Sequence, residues 1–151
     1  MTFQEKNIMA SLSVFTIILL FFLLRLFQLN QNGNFAEPKI FTLWGIVIGL
    51  AILGTISLTI LTHIISAVIE IIQTGNEDHE IDDTTDERDD LIDLRGTKVT
   101  YTITSFGSLI AMLTYAFGQP PLIMFTLLIL SGVIAQIAGD INRLRLYRRG
   151  F

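Results

Sequence analysis

Long apolar runs alternate with short polar connections along this chain. Each run carries few or no charges and reaches the length of about 18 residues at which an apolar stretch is typical of a membrane-spanning helix. The four runs cover residues 8–29, 40–72, 99–117 and 121–138. The pattern therefore predicts an all-α, polytopic integral membrane protein, with a single membrane domain over residues 1–151 and four transmembrane helices.

The second run has no proline and would form a helix of about 50 Å, longer than the roughly 30 Å hydrocarbon core. Its small and polar residues recur at steps of mostly three and four, so that at ~100° per residue they share one arc of the helix. We call this arc the small-and-polar face; it comprises Gly45, Gly49, Thr55, Thr59, His63, Ser66 and Glu70.

Two interpretations of the small-and-polar face stay open at this stage. Small residues let helices approach closely in lipid, which favours a packing seam inside the bundle or between protomers. Alternatively, the face lines a water-filled path, with His63 as its titratable group at depth and Glu70 at its cytoplasmic mouth. We favour the seam, because a lone histidine is more often a neutral, hydrogen-bonded packing residue.

The third and fourth runs also carry small faces, which predicts a tight bundle. The third contributes Thr100, Thr104, Gly107, Ser108, Ala111 and Thr114, and the fourth contributes Gly132, Ala135, Gln136 and Gly139. We expect the fourth helix to continue past Ala138 into a basic tail over residues 143–151. Asp140 is expected to lead into this tail, and the arginines of the tail to anchor it to anionic lipid headgroups.

Ten carboxylates crowd the connection over residues 74–98. Its first half has no apolar periodicity and is typical of a loop. From Asp86 onward, acids recur at helical spacing opposite Leu91, Ile92 and Leu94, which predicts a short amphipathic surface helix that turns at Gly96 into the third span. Its acidic face comprises Asp86, Glu87, Asp89, Asp90 and Asp93. Surface helices that bind anionic lipid carry Lys and Arg instead, so we expect this face to meet a basic cytoplasmic partner.

The segment DERDDLIDLRGTKVTY, residues 86–101, resembles the signature of a family of small prokaryotic multi-span membrane proteins of unknown function. The shared pattern is D-E-R-D, an aliphatic position matched by Ile92, a basic position matched by Arg95, and Gly or Ala matched by Gly96, leading into a span. The resemblance covers about sixteen residues and the four-span layout. It implies no activity.

The basic residues predict the orientation, because Lys and Arg are enriched on the cytoplasmic side of membrane proteins. Eight lie at the ends that carry the termini and the acidic connection: Lys6, Arg88, Arg95, Lys98, Arg143, Arg145, Arg148 and Arg149. Two, Arg25 and Lys39, lie on the other side, where Arg25 is expected to extend to the headgroups. We therefore predict a multi-pass protein of the cell membrane with both termini in the cytoplasm.

Composition and motifs narrow the function. The mean hydropathy is +0.60, charged residues make up only 16%, and cysteine is absent. The sequence lacks a Walker loop, G-x-S-x-G and H-E-x-x-H, and D-D-T-T-D-E-R-D-D lacks the glycine of an EF-hand, so we predict no enzyme, cofactor or metal site. The chain also has no basic patch interleaved with aromatic residues, so we predict that nucleic acid is not a partner.

The predicted function is a membrane-embedded interaction protein, a homo-oligomer or a subunit of a larger complex. The alternative is a small ion channel or transporter lined by the small-and-polar face.

Overall fold

The computed structural model describes residues 3–31, 37–74 and 87–149. These residues form four α-helices, which we label α1 (Phe3–Gln31), α2 (Glu37–Thr74), α3 (Glu87–Ala116) and α4 (Pro121–Arg149). All four are long and apolar enough to cross a membrane. The predicted all-α fold with four transmembrane helices is therefore confirmed, and each helix extends beyond the apolar run that predicted it at one end or both.

Helix α4 lies at the centre of the arrangement. It packs extensively against α3, less against α1 and only slightly against α2, while α1 and α2 pack against each other. Within the described ranges, α3 has α4 as its only helical neighbour. The four helices therefore form an open bundle in which one side of α2 and most of α3 face outward.

The apolar core lies mainly between α1 and α2 and is closed by α4. It consists of Phe15, Ile18, Phe22, Ile40, Leu43, Trp44, Val47 and Val133. Trp44 also donates a hydrogen bond from Nε1 to the hydroxyl of Thr126, at 3.3 Å, which satisfies its polar atom inside the core. This contact joins α2 to α4 at the end of the bundle away from the termini.

Parts of the small faces of α3 and α4 pack against each other, whereas Gly132 of α4 is exposed and has no atom within 4 Å of a Cβ position. A Cβ at Gly107 would collide with the side chain of Ser131, and a Cβ at Gly139 would collide with the hydroxyl of Thr100. The two helices are joined by a tight turn in which Gly118 adopts a φ of 84°, a conformation that favours glycine. Close approach of the two helices thus explains the glycines at positions 107 and 139.

The predicted short amphipathic helix before the third span is wrong. Residues from Glu87 onward belong to α3 itself, which continues without a turn through Gly96. Gly96 is buried because the side chain of Arg143 lies directly against it, where a Cβ would collide. The glycine therefore serves a close contact with α4, and the aliphatic residues around it do not share one buried face: Ile92 is buried, whereas Leu91 and Leu94 are exposed.

Candidate functional site

A buried carboxylate joins α1 to α4 near the end of the bundle that holds both termini. Asp140 is 3% exposed. Its Oδ2 accepts a hydrogen bond from the Ser11 hydroxyl at 2.7 Å, and its Oδ1 accepts bonds from Gln136 Nε2 at 3.2 Å and Arg143 Nη1 at 3.0 Å. Because α4 continues past Ala138, Gln136, Asp140 and Arg143 fall on one stripe of the helix at spacings of four and three residues.

Arg143 extends this network to α3. Its Nε donates to Asp93 Oδ1 at 2.9 Å, and its Nη2 donates to the Thr97 hydroxyl at 2.8 Å. The Arg143 side chain is 15% exposed, against 4% for Asp140 and 70% for Asp93. One arginine therefore connects a buried acid on its own helix with an exposed acid on the neighbouring helix, and Gly96 leaves the space through which it passes.

A polar cavity of about 370 Å³ lies beside this network, between α1, α2 and α4. Helix α2 contributes Thr55, Thr59, Thr62 and His63, and the opposite wall includes Asp93, Gln136, Asp140 and Arg143. Asn7 also lines it and holds a buried Nδ2 that has no hydrogen-bond partner among the described residues. Buried polar groups are satisfied as a rule, so this donor indicates a place for water or a polar solute.

Depth along α4 locates the network relative to a membrane. Asp140 follows Pro121, the first residue of α4, by nineteen positions, which corresponds to about 28 Å of helix. That distance is close to the roughly 30 Å thickness of the hydrocarbon core. Asp140, Ser11 and the cavity therefore lie near one boundary of the core, where ionisable residues in contact with one another often mark functional positions.

The small-and-polar face of α2 is largely turned away from the protomer's core. Gly45 is exposed and Gly49 half-buried, and a Cβ at either would meet no atom within 4 Å. Thr55, Thr59 and His63 are exposed, although they border the polar cavity. The side chains of Ser66 and Glu70 lie outside the described residues. The face is therefore not a seam within one protomer over the positions that the structure describes.

The predicted acidic face is partly engaged within the protein. Asp93 pairs with Arg143, and Asp89 lies beside Tyr147 of α4 at a cavity that both residues line. Glu87 and Asp90 are exposed. Asp86 lies outside the described residues. The part of this face that is directed to solvent is therefore smaller than the sequence indicates.

Sequence reasoning missed the packing contacts of Asp140 and Arg143. It predicts that the fourth helix continues past Ala138, as α4 does, but not that these side chains contact α1 and α3. The available signal was the recurrence of Gln136, Asp140 and Arg143 at helical spacing, in register with the small residues Gly132 and Gly139. Neither Ser11 nor Asp93 could be assigned to them by spacing, because those contacts span 129 and 50 positions of the chain.

Metal chemistry finds no support among residues 3–31, 37–74 and 87–149, where no three histidine or acidic side chains converge on one point. The chain matches no protein-family model, no curated protein and no solved structure. The resemblance of residues 86–101 to a family of small membrane proteins therefore stays a prediction, and the function has to be argued from the geometry.

Proposed function

We propose that this protein is a non-enzymatic interaction protein of the cell membrane, either a homo-oligomer or a small subunit of a larger membrane complex. The observation that carries the proposal is the outward direction of the small-and-polar face of α2. Gly45 and Gly49 have open space where side chains would stand, and Thr55, Thr59 and His63 are exposed.

Lipid and a second helix differ in what they offer such a face. Lipid chains gain nothing from small residues, whereas a second helix gains close backbone contact and hydrogen bonds to hydroxyl groups. A helix from another chain that covers Gly45 and Gly49 supplies that contact.

The acidic start of α3 supplies a second contact outside the bilayer in this proposal. Glu87 and Asp90 are exposed there, while Asp93 pairs with Arg143 and Asp89 lies beside Tyr147 of α4. Since the eight-to-two excess of basic residues favours both termini in the cytoplasm, this end of α3 is proposed to meet a basic cytoplasmic partner. The exposed pair carries the recognition, and the engaged pair holds α3 in position.

The assembly is tested by the mass of the protein extracted into detergent or nanodiscs. We expect a mass that is a multiple of the 16.9 kDa chain, or a complex with one stoichiometric second protein. Gly49→Leu should dissociate that complex, because a bulky side chain on a small-residue face forces the backbones apart, and overpacking costs about 1–3 kcal/mol. The protomer itself has room at this position, so its thermal stability should change little.

The matched control is Ser57→Leu, which also replaces a small residue of α2. Ser57 is exposed, where Gly49 is half-buried, and lies about 80° around the helix from Gly49. It should leave the assembly intact. A wild-type protein that is monomeric and free of a second protein would contradict the proposal, as would equal effects of the two substitutions.

A small ion channel or transporter is the second candidate, favoured by the polar cavity that Thr55, Thr59 and His63 border. The cavity does not continue across one protomer, since the aromatic and aliphatic core around Phe15, Phe22 and Val47 lies between α1 and α2. Conduction would therefore need a path between protomers.

This candidate is tested by ion flux in proteoliposomes. If the protein carries a flux, His63→Leu should abolish that flux by removing a polar group from the path, with Thr16→Val on α1 as a control. Absence of any flux would leave the interaction protein as the only candidate.

A further inference from the structure

A second cavity, of about 530 Å³, lies between α1 and α2 at the end of the bundle opposite the termini. Its volume is within the usual range of ligand pockets. Helix α1 contributes Arg25, Gln28 and Leu29, and α2 contributes Pro38, Lys39, Thr42, Leu43 and Ile46. The residues from each helix fall on a single helical face, so the cavity is a groove along the α1–α2 contact.

Both basic residues at the end of the bundle opposite the termini line this groove. Arg25 and Lys39 are the two Lys or Arg residues that the sequence places at this end, and both line this cavity although they belong to different helices. Scattered basic residues at a membrane surface need only reach the headgroups individually. Their convergence on one groove indicates a site for a negative charge.

Arg25 is already held in position. Its Nη1 donates a hydrogen bond to Gln28 Oε1 at 3.1 Å, and its guanidinium lies over the Phe21 ring at 5.7 Å from the centroid. A guanidinium carries five N–H donors, so most of its capacity is left for a ligand with several acceptor oxygens. Among the side chains that the structure describes, no acid pairs with Lys39.

The remaining walls are apolar. Leu29, Leu43 and Ile46 continue the groove from the charged end toward the middle of the helices, where Leu43 belongs to the buried core. A soluble anion gains nothing from such walls, whereas an acyl chain does. Basic pockets between transmembrane helices on the cytoplasmic side bind anionic lipid headgroups, and the same charge complementarity applies to this groove at the opposite end.

We propose that this groove is a binding site for an anionic phospholipid, whose phosphate lies between Arg25 and Lys39 and whose acyl chain follows Leu43 and Ile46. The Gln28 amide Nε2 provides a further donor for the headgroup, whereas the Thr42 hydroxyl already donates to the Pro38 carbonyl oxygen at 2.9 Å. The site is independent of the assembly proposed above, because it uses the α1 side of α2 rather than its small-and-polar face.

The native fluorophore gives a local test. Trp44 is the only tryptophan and follows Leu43, which lines the groove. The full-length protein is reconstituted in phosphatidylcholine vesicles, and Trp44 quenching is compared for phosphatidylglycerol and phosphatidylcholine with identically brominated acyl chains. Each basic residue at an anionic lipid surface contributes roughly a fivefold preference. We expect brominated phosphatidylglycerol to reach half-maximal quenching at a mole fraction roughly tenfold lower, or more, than brominated phosphatidylcholine needs.

Variants separate this site from the basic residues elsewhere. Arg25→Gln and Lys39→Gln should each reduce the preference by roughly fivefold, and the double variant should abolish it. Lys6→Gln, at the opposite end, should leave it unchanged. Arg25→Lys, which keeps the charge, should retain most of it, and an unaltered Trp44 emission maximum shows that the fold is preserved.

Each contrary result overturns the proposal. Equal quenching by both lipids in the wild type excludes a selective site, and an unchanged preference in the double variant places the lipid elsewhere. Loss of the preference in Arg25→Lys would assign it to packing rather than charge. Displacement by excess inorganic phosphate, but not by chloride at the same ionic strength, would identify a soluble phosphate as the ligand instead of a lipid.

Discussion

At the scale of single residues, Arg143 shows how burial decides the importance of two acids that contact the same guanidinium. Asp93 is 70% exposed at its side chain, whereas Asp140 is 4% exposed. Exposed ion pairs contribute about 0–1 kcal/mol, because water solvates both partners in the unpaired state. Removing one partner of a buried pair leaves an uncompensated charge at low dielectric and costs about 3–5 kcal/mol.

We therefore expect Asp140→Leu to lower the free energy of unfolding by about 3–5 kcal/mol, and Asp93→Ala to lower it by about 1 kcal/mol or less. Both variants are compared by reversible unfolding in one detergent. Asp140→Asn should fall between them, since the amide keeps an acceptor for Ser11 but loses the charge opposite Arg143. Equal destabilisation by Asp140→Leu and Asp93→Ala would show that the network is solvated rather than buried.

At the scale of elements, two glycines on small helical faces differ in whether they lie in a contact between helices. Gly107 on α3 lies against Ser131 of α4 so closely that a Cβ would collide, whereas Gly132 on α4 has no atom within 4 Å of that point. The sequence shows both as members of small helical faces. Only the direction of each face relative to the neighbouring helix separates a packing glycine from an outward one.

Alanine substitutions at these two positions form a matched pair. Gly107→Ala should destabilise the α3–α4 contact by about 1–3 kcal/mol through overpacking. Gly132→Ala should be neutral or stabilising by up to about 1 kcal/mol, because alanine has the higher helix propensity. Thermal unfolding midpoints of both variants give the measurement, and equal shifts would mean that α3 and α4 do not pack through Gly107.

At the scale of the whole molecule, both termini lie at one end of the bundle. Ser11 of α1 donates a hydrogen bond to Asp140 of α4, and Arg148 Nη2 of α4 lies 4.0 Å from Met9 Sδ of α1. The α3–α4 turn, with Gln119, lies at the other end. The bundle is asymmetric in charge, since most basic residues and the acidic start of α3 share the end with the termini.

Because the chain has no cysteine, single introduced thiols report this orientation without background. The proposed topology, with both termini in the cytoplasm, predicts that Gln119→Cys reacts with an impermeant maleimide added to intact cells, and that Arg149→Cys reacts only after the membrane is opened. Labelling of Arg149→Cys from outside would reverse the proposed topology, and with it the cytoplasmic position of the acidic end of α3.

The sequence by itself determined the class of the molecule and the number of its helices. Apolar length is a local property, so four runs of about 18 residues or more could be recognised without knowing how they pack. The small faces of α3 and α4 could also be predicted, because helical periodicity places residues on a common side. The short surface helix was predicted wrongly, since Gly96 as a turn and Gly96 as a contact are indistinguishable from local sequence.

The tertiary structure decided which residues meet. It turned Gly45 and Gly49 away from the core, placed Asp140 beside Ser11, and brought Arg25 and Lys39 to one groove. Each of these depends on the rotation of one helix about its axis relative to another, which local periodicity leaves undetermined. In lipid, hydrophobicity does not set that rotation, because lipid and helix interior are similarly apolar; close packing and a few buried polar contacts set it instead.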